Sequence, residues 1–222
     1  MTEWIKAILD APQPGQVLRD MFGEGNIPPL TFLADADGIS AGPVPWHTGT
    51  VLGHVSRVMD EVATATGGDK IAIWMALAHD AGKMTTPRSM LPHHYGHEFR
   101  GRKMARQWAR EAELPKDFAR AGVFAASQHM KAGRFQRLTP KNKLRYLLEL
   151  AESGLMERLF VLCSADRRTD IGEYGQAHWD AISPLVKGYG DREIPQKIRL
   201  ECLNIIKGMP EWHDPREIGQ KS

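Results

Sequence analysis

The stretch Lys70-Ile71-Ala72-Ile73-Trp74-Met75-Ala76-Leu77-Ala78-His79-Asp80-Ala81-Gly82-Lys83 decides the fold. Residues 71–78 are apolar without interruption, so a helix there presents apolar side chains in every direction and must be surrounded by other elements. The run of eight residues falls well short of the roughly 20 that cross a bilayer. A core helix that ends in His79-Asp80 therefore delivers two polar, ligand-type side chains to the interior.

Working outward, the flanking segments repeat the helical period. Upstream, Val51, Val55, Val58 and Val62 recur at steps of three and four until Gly67-Gly68 ends the run. Downstream, Met104, Trp108 and Ala112 share one face. Leu114-Pro115 stops that helix and starts another, whose inner face carries Phe118, Gly122, Ala125 and Ala126. Thr139-Pro140 opens a helix through Leu150, Ser153-Gly154 breaks it, and Leu155, Leu159, Leu162 and Cys163 line the next one. Weaker helices are expected over residues 174–187 and 194–207, and short ones near 3–9 and 15–22. No alternating strand pattern occurs, so the expected fold is an all-α helical bundle with its site in the core. The expected division is an N-terminal lead-in over residues 1–45, a main domain over 46–208 and a polar tail over 209–222.

The 222 residues carry 29 basic and 27 acidic side chains, a net charge of +2, too balanced for a surface that tracks a long phosphate backbone. The start, Met-Thr-Glu-Trp-Ile-Lys, lacks a basic and then apolar leader, so a cytoplasmic protein with no membrane partner is expected. Cys163 and Cys202 lie within apolar helical patterns and read as core residues. The sequence leaves the oligomeric state open.

The nine histidines carry the chemistry. A second His-Asp pair, His213-Asp214, precedes Pro215 in the polar tail and reads as solvated surface. His54 lies three after Val51 and four before Val58; His97 lies seven before Met104 and eleven before Trp108; His129 lies four after Ala125 and seven after Gly122. Asp166 continues Leu155, Leu159, Leu162 and Cys163. His54, His79, Asp80, His97, His129 and Asp166 are thus all aimed inward. Burying unpaired carboxylates among neutral imidazoles costs several kcal/mol, which a divalent cation removes. Nitrogen and carboxylate donors without thiolates suit a transition metal such as Mn, Fe, Co, Ni or Zn.

Here the sequence resembles the HD superfamily of metal-dependent phosphohydrolases: His54, then His79-Asp80, then a distant Asp166. Within it, the chain is most similar to the C-terminal HD domain of bacterial CCA-adding tRNA nucleotidyltransferases. The likeness rests on Ala78-His79-Asp80-Ala81-Gly82-Lys83 with Pro87, on Leu91-Pro92-His93-His94-Tyr95-Gly96-His97-Glu98 with Gly101, and on Ser164-Ala165-Asp166-Arg167. It covers roughly residues 43–207. The resemblance implies a metal centre of two ions, with Asp80 shared between His54, His79 and Asp166 on one side and His97 and His129 on the other. It implies hydrolysis of phosphate esters on small nucleotides or RNA 3′ ends, of the 2′,3′-cyclic phosphodiesterase, 2′-nucleotidase or phosphatase type. A nucleotidase or deoxynucleoside triphosphohydrolase, or a metal-retaining binding domain without turnover, are the alternatives. Lys83 is expected either to bind phosphate or to close a helix end, and His94 either to donate a proton to the leaving oxygen or to sit in an exposed loop. Lys131 and Arg134 follow His129 closely enough to touch a substrate. Asp35-Ala-Asp37 reads as a turn, not a nucleotide-adding pair, so nucleotide addition is not expected; Trp46-His47-Thr48 and Val55 depart from the family's pattern, which bears on substrate preference and leaves the ligand set intact.

Overall fold

Two short helices, α1 (Glu3–Leu9) and α2 (Pro14–Gly23), form where the apolar spacing predicts them. The free amides at the start of α2 are satisfied by a carboxylate from another helix: the Gly15 and Gln16 N–H groups donate to Asp60 Oδ1 at 2.7 and 3.3 Å, and Arg19 pairs with Asp60 at 3.2 Å. Asp60 belongs to α3 (Val51–Thr66), which Thr50 caps by accepting from the Gly53 amide at 3.2 Å and which Gly67 ends at φ 62°. Asp69 caps α4 (Lys70–Ala78) by accepting from the amides of Ile71 and Ala72. Residues 72–78 are all buried, as their apolar run requires. Next come α5 (His97–Glu111), with Met104, Ala105 and Trp108 inward, and α6 (Lys116–Ala132), with Gly122, Ala125 and Ala126 buried and Phe118 half-buried.

The computed structural model describes residues 1–44, 49–189 and 193–215; Trp46, His47 and Thr48 lie outside the described residues. Among the described residues there are ten α-helices and no strand, only one antiparallel bridge between Ser40 and Thr50. No helix among them is long and apolar enough to cross a membrane.

The chain divides into two compact units, Met1–Met130 and Lys131–Ser222, with the division falling inside the 46–208 span. In the first, residues 1–44 pack as part of the core: Ile5, Ile8, Leu18, Leu30 and Leu33 are buried, and the indole of buried Trp108 donates to Thr31 O at 2.8 Å. Asp35 and Asp37 lie in a 3₁₀ turn, Leu33–Asp37. Two glycines allow the approaches that assemble the interior. A Cβ on Gly82 would collide with the carbonyl of His97, so the turn after Asp80 rests directly on the start of α5. A Cβ on Gly122 would lie 2.7 Å from Trp74 Nε1, so α6 lies hard against α4.

The second unit contains α7 (Pro140–Ser153), α8 (Met156–Arg167), α9 (Ile171–Val186) and α10 (Gln196–Gly208). Thr139 caps α7, Gly154 closes it at φ 67°, and Leu155, Leu159, Leu162 and Cys163 are buried. One expectation is corrected. Asp214 is not solvated but 4% exposed and paired with Arg167 at 3.4 Å, while the Trp212 indole donates to Asp170 Oδ1 at 2.7 Å. Those two contacts hold this part of the polar tail on α8 and the start of α9, and only His213 of the pair is exposed.

Candidate metal centre

Three helices and one turn of the first unit bring His54 (α3), His79-Asp80 (the end of α4), His97 (the first residue of α5) and His129 (α6) to one buried point. The carboxylate of Asp80 lies at its middle. Oδ2 is 3.3 Å from His54 Nε2 and 3.2 Å from His79 Nε2; Oδ1 is 3.3 Å from His97 Nε2 and 3.5 Å from His129 Nε2. The imidazoles also meet in pairs, with Nε2···Nε2 distances of 3.3 Å for His54 and His79 and 3.2 Å for His97 and His129.

Backbone carbonyls decide which ring nitrogen faces inward. Nδ1–H of His79 donates to Ala76 O at 2.7 Å, that of His97 to His94 O at 2.8 Å and that of His129 to Ala125 O at 3.1 Å. With Nδ1 protonated, each neutral ring turns an Nε2 lone pair towards Asp80. The fourth ring differs: an Arg57 guanidinium nitrogen stands 3.4 Å from His54 Nδ1. Lone pairs that face one another and a carboxylate repel unless a cation lies among them. The spacing suits one, because two donor atoms each about 2.1 Å from an ion, at right to tetrahedral angles, are roughly 3.0–3.5 Å apart. Two ligand groups share the carboxylate: His54, His79 and Asp80, and Asp80, His97 and His129.

Burial works against ionisation of Asp80, but the neighbouring His79, Lys83, His129 and His54 together outweigh it and hold the carboxyl well below its usual range. Lys83 is itself buried. Its Nζ lies 2.7 Å from Asp80 Oδ2, an ion pair without hydrogen-bond alignment, and donates to Ala41 O at 2.8 Å. His94 is buried rather than loop-exposed and uses both ring nitrogens: Nε2–H donates to Ser40 O at 2.8 Å, and Nδ1 accepts from the Thr86 hydroxyl at 2.8 Å. Burial, first of all, lowers its pKa.

The other expected site residues belong to the second unit. Asp166 is half-buried on α8. Lys131 lies over the Tyr146 ring, 3.8 Å from its centroid, and 3.4 Å from Glu149, and Arg134 is exposed. Sequence reasoning missed Ser40 and Ala41, whose contribution is a backbone carbonyl that no side-chain pattern announces. It also missed Thr86 and Arg100; Arg100 donates to Thr85 Oγ1 and Thr86 Oγ1 at 3.0 Å each.

A helical domain that gathers four histidines around one buried aspartate defines a class of metal-binding protein. The HD domain family profile matches residues 47–168, more than half of the chain, and the chain belongs to that family, a superfamily of metal-dependent phosphohydrolases. Its curated relatives include the multifunctional CCA protein of Xylella fastidiosa, 33% identical over 134 residues, 59% of this chain and 31% of that protein. That of Xanthomonas campestris pv. campestris is 27% identical over 180 residues, 78% of this chain and 43% of that protein. That of Actinobacillus pleuropneumoniae is 31% identical over 182 residues, 72% and 43% respectively. The chain thus spans from about a third to less than half of these relatives, matching the HD domain of CCA-adding enzymes. No solved structure matches it.

Proposed function

We propose that this chain is a metal-dependent phosphohydrolase acting on phosphate esters of small nucleotides or RNA 3′ ends, of the 2′,3′-cyclic phosphodiesterase, 2′-nucleotidase or phosphatase type. The observation that carries this reading is Asp80, whose two oxygens each face two imidazole Nε2 atoms at 3.2–3.5 Å. In such a centre His54, His79 and Asp80 would hold one divalent cation, and Asp80, His97 and His129 would hold a second. The family resemblance adds Asp166 as a further ligand. The chemistry that cations supply there is polarisation of phosphoryl oxygens and acidification of water, whose pKa falls from about 15.7 to near 7.

The chain's own residues set the conditions. Carbonyls of Ala76, His94 and Ala125 hold three imidazoles in the tautomer that presents Nε2. Lys83 keeps Asp80 ionised and brings a positive charge into the site, where it steadies charge developing on phosphate oxygens. Lys131 and Arg134 offer basic contacts for a substrate phosphate. The hydrogen bonds of His94 favour a role in holding residues 40 and 86 over one in delivering a proton. The relatives' name, multifunctional CCA protein, favours nucleotide and RNA-end phosphates over other esters.

The test is phosphate release from 2′,3′-cyclic AMP, 2′-AMP and dATP by protein loaded with Mn, Co, Ni or Mg. Turnover of the 2′-phosphates supports this reading, preference for dATP supports a triphosphohydrolase, and metal-loaded protein inert on all three contradicts hydrolysis of this class.

A further inference from the structure

Beside the metal centre, the segment that delivers His97 leaves two large aromatic rings in solvent. Tyr95 is 69% exposed and Phe99 68% exposed, in a unit whose Trp74 and Trp108 are fully buried. Tyr95 precedes His97 by two residues, so their Cα atoms are within about 7.6 Å of each other. Its ring lies parallel to that of exposed His93, with centroids 5.4 Å apart and planes 10° from coplanar. Phe99 comes from the first turn of α5 and flanks Gly96, where a Cβ would meet its Cδ2 at 4.0 Å and Arg100 Nη1 at 3.5 Å. The platform is braced from behind, because Arg100 Nη1 donates to Tyr95 O at 2.7 Å while its other nitrogens are held by Thr85 and Thr86.

Charge is concentrated on the same segment. Residues 87–103 hold Arg88, Arg100, Arg102 and Lys103 against one acid, Glu98, in a chain whose whole net charge is +2. Exposed flat rings carried on a basic segment are the elements with which proteins take up unpaired bases, since every base has a face to stack and a phosphate to attract. Two isolated rings are too little apolar area for a stable protein interface.

We propose that Tyr95, with His93 and Phe99, forms a stacking platform for the nucleobase of the substrate, placed so that the attached phosphate enters the centre around Asp80. The inference rests on the proposed hydrolase reading and adds to it the recognition of a base. Base and phosphate are then held by opposite sides of one segment, the base by the exposed rings and the phosphate beside the inward-facing His97.

Two measurements on the full chain test it: hydrolysis of 2′,3′-cyclic AMP against the base-free glycerol 1,2-cyclic phosphate, and equilibrium dialysis of 2′-AMP and a short oligoadenylate. In a Tyr95→Ala/Phe99→Ala double variant, the ratio of kcat/KM for the nucleotide to that for the base-free ester falls by about fivefold or more, and the Kd for 2′-AMP rises comparably. Tyr95→Trp restores both. If no ester is hydrolysed, the hydrolase reading fails, but weaker 2′-AMP binding in the double variant still supports the platform. Unchanged ratio and Kd, or wild-type protein that binds neither ligand, overturns it. So does a dimer that the double variant dissociates while nucleotide binding stays the same. An oligoadenylate bound more tightly than 2′-AMP assigns the platform to an RNA end, and equal affinity assigns it to a mononucleotide.

Discussion

Lys83 Nζ lies 2.7 Å from Asp80 Oδ2, so the carboxylate at the middle of the histidine cluster has a buried cation of the chain's own as its partner. Lys83 is one of the groups that overcome burial and hold the Asp80 carboxyl below its usual range. A carboxylate with a depressed pKa stabilises the fold above its unfolded pKa, near 3.9, and the stabilisation is lost as pH falls through the folded value. Lys83→Met raises that folded value. The acid-unfolding midpoint of metal-free protein, followed by circular dichroism, is expected to move to higher pH; an unmoved midpoint would mean that Lys83 does not sustain the charge on Asp80.

His94 spans Ser40 O and the Thr86 hydroxyl, and a glutamine side chain can supply the same donor and acceptor. His94→Gln is therefore expected to keep hydrolysis within about fivefold of wild type, whereas His94→Ala, which leaves the buried groups on both sides unpaired, loses at least tenfold. A pH–rate profile separates the roles. Equal loss in both variants, together with loss of one limb of the profile, would make His94 a proton donor instead.

Gly82 rests on the backbone of His97, and the position has no room for a side chain. Gly82→Ala forces the turn after Asp80 away from α5, at a cost on the order of 1–3 kcal/mol for overpacking. Metal affinity measured by calorimetry is expected to fall at least tenfold, because the His97 and Asp80 donors separate. Wild-type affinity would place the metal elsewhere.

In the second unit, His178 is buried. Desolvation lowers its pKa, and the neighbouring Lys143, whose Nζ is 3.4 Å from His178 Nε2, lowers it further. A histidine depressed on folding takes up a proton more readily when unfolded, so stability falls as pH drops below the unfolded value of about 6.5. Urea unfolding monitored by circular dichroism is expected to show lower stability at about pH 5.5 than at pH 7.5, with a smaller difference in His178→Gln. An equal difference in the variant would assign the pH dependence to other groups.

Much of this was legible in the sequence because its signals are periodic. The valines of α3 and the uninterrupted apolar run of α4 required buried helices, and His54, His79, His97 and His129 were found because each continues a core face. What stayed hidden depends on tertiary contact. Lys83 reads as a phosphate-binding or helix-end cation, and only the fold shows that it pairs with Asp80 and donates to Ala41; the carbonyls of Ser40 and Ala41 have no side-chain signature. Asp214 lies in a polar stretch, and only its meeting with Arg167 shows why it is buried. Tyr95 and Phe99 carry no periodic signal, since exposure is a property of the folded surface.

The most direct test of the central claim is the metal content of purified, Mn-loaded protein beside Asp80→Asn, each confirmed as folded by circular dichroism. If Asp80 is shared by two cation sites, the wild type holds two equivalents per chain, the variant holds far less than one, and hydrolysis of 2′,3′-cyclic AMP disappears with the metal. A folded Asp80→Asn protein that keeps both equivalents and full turnover would contradict the claim.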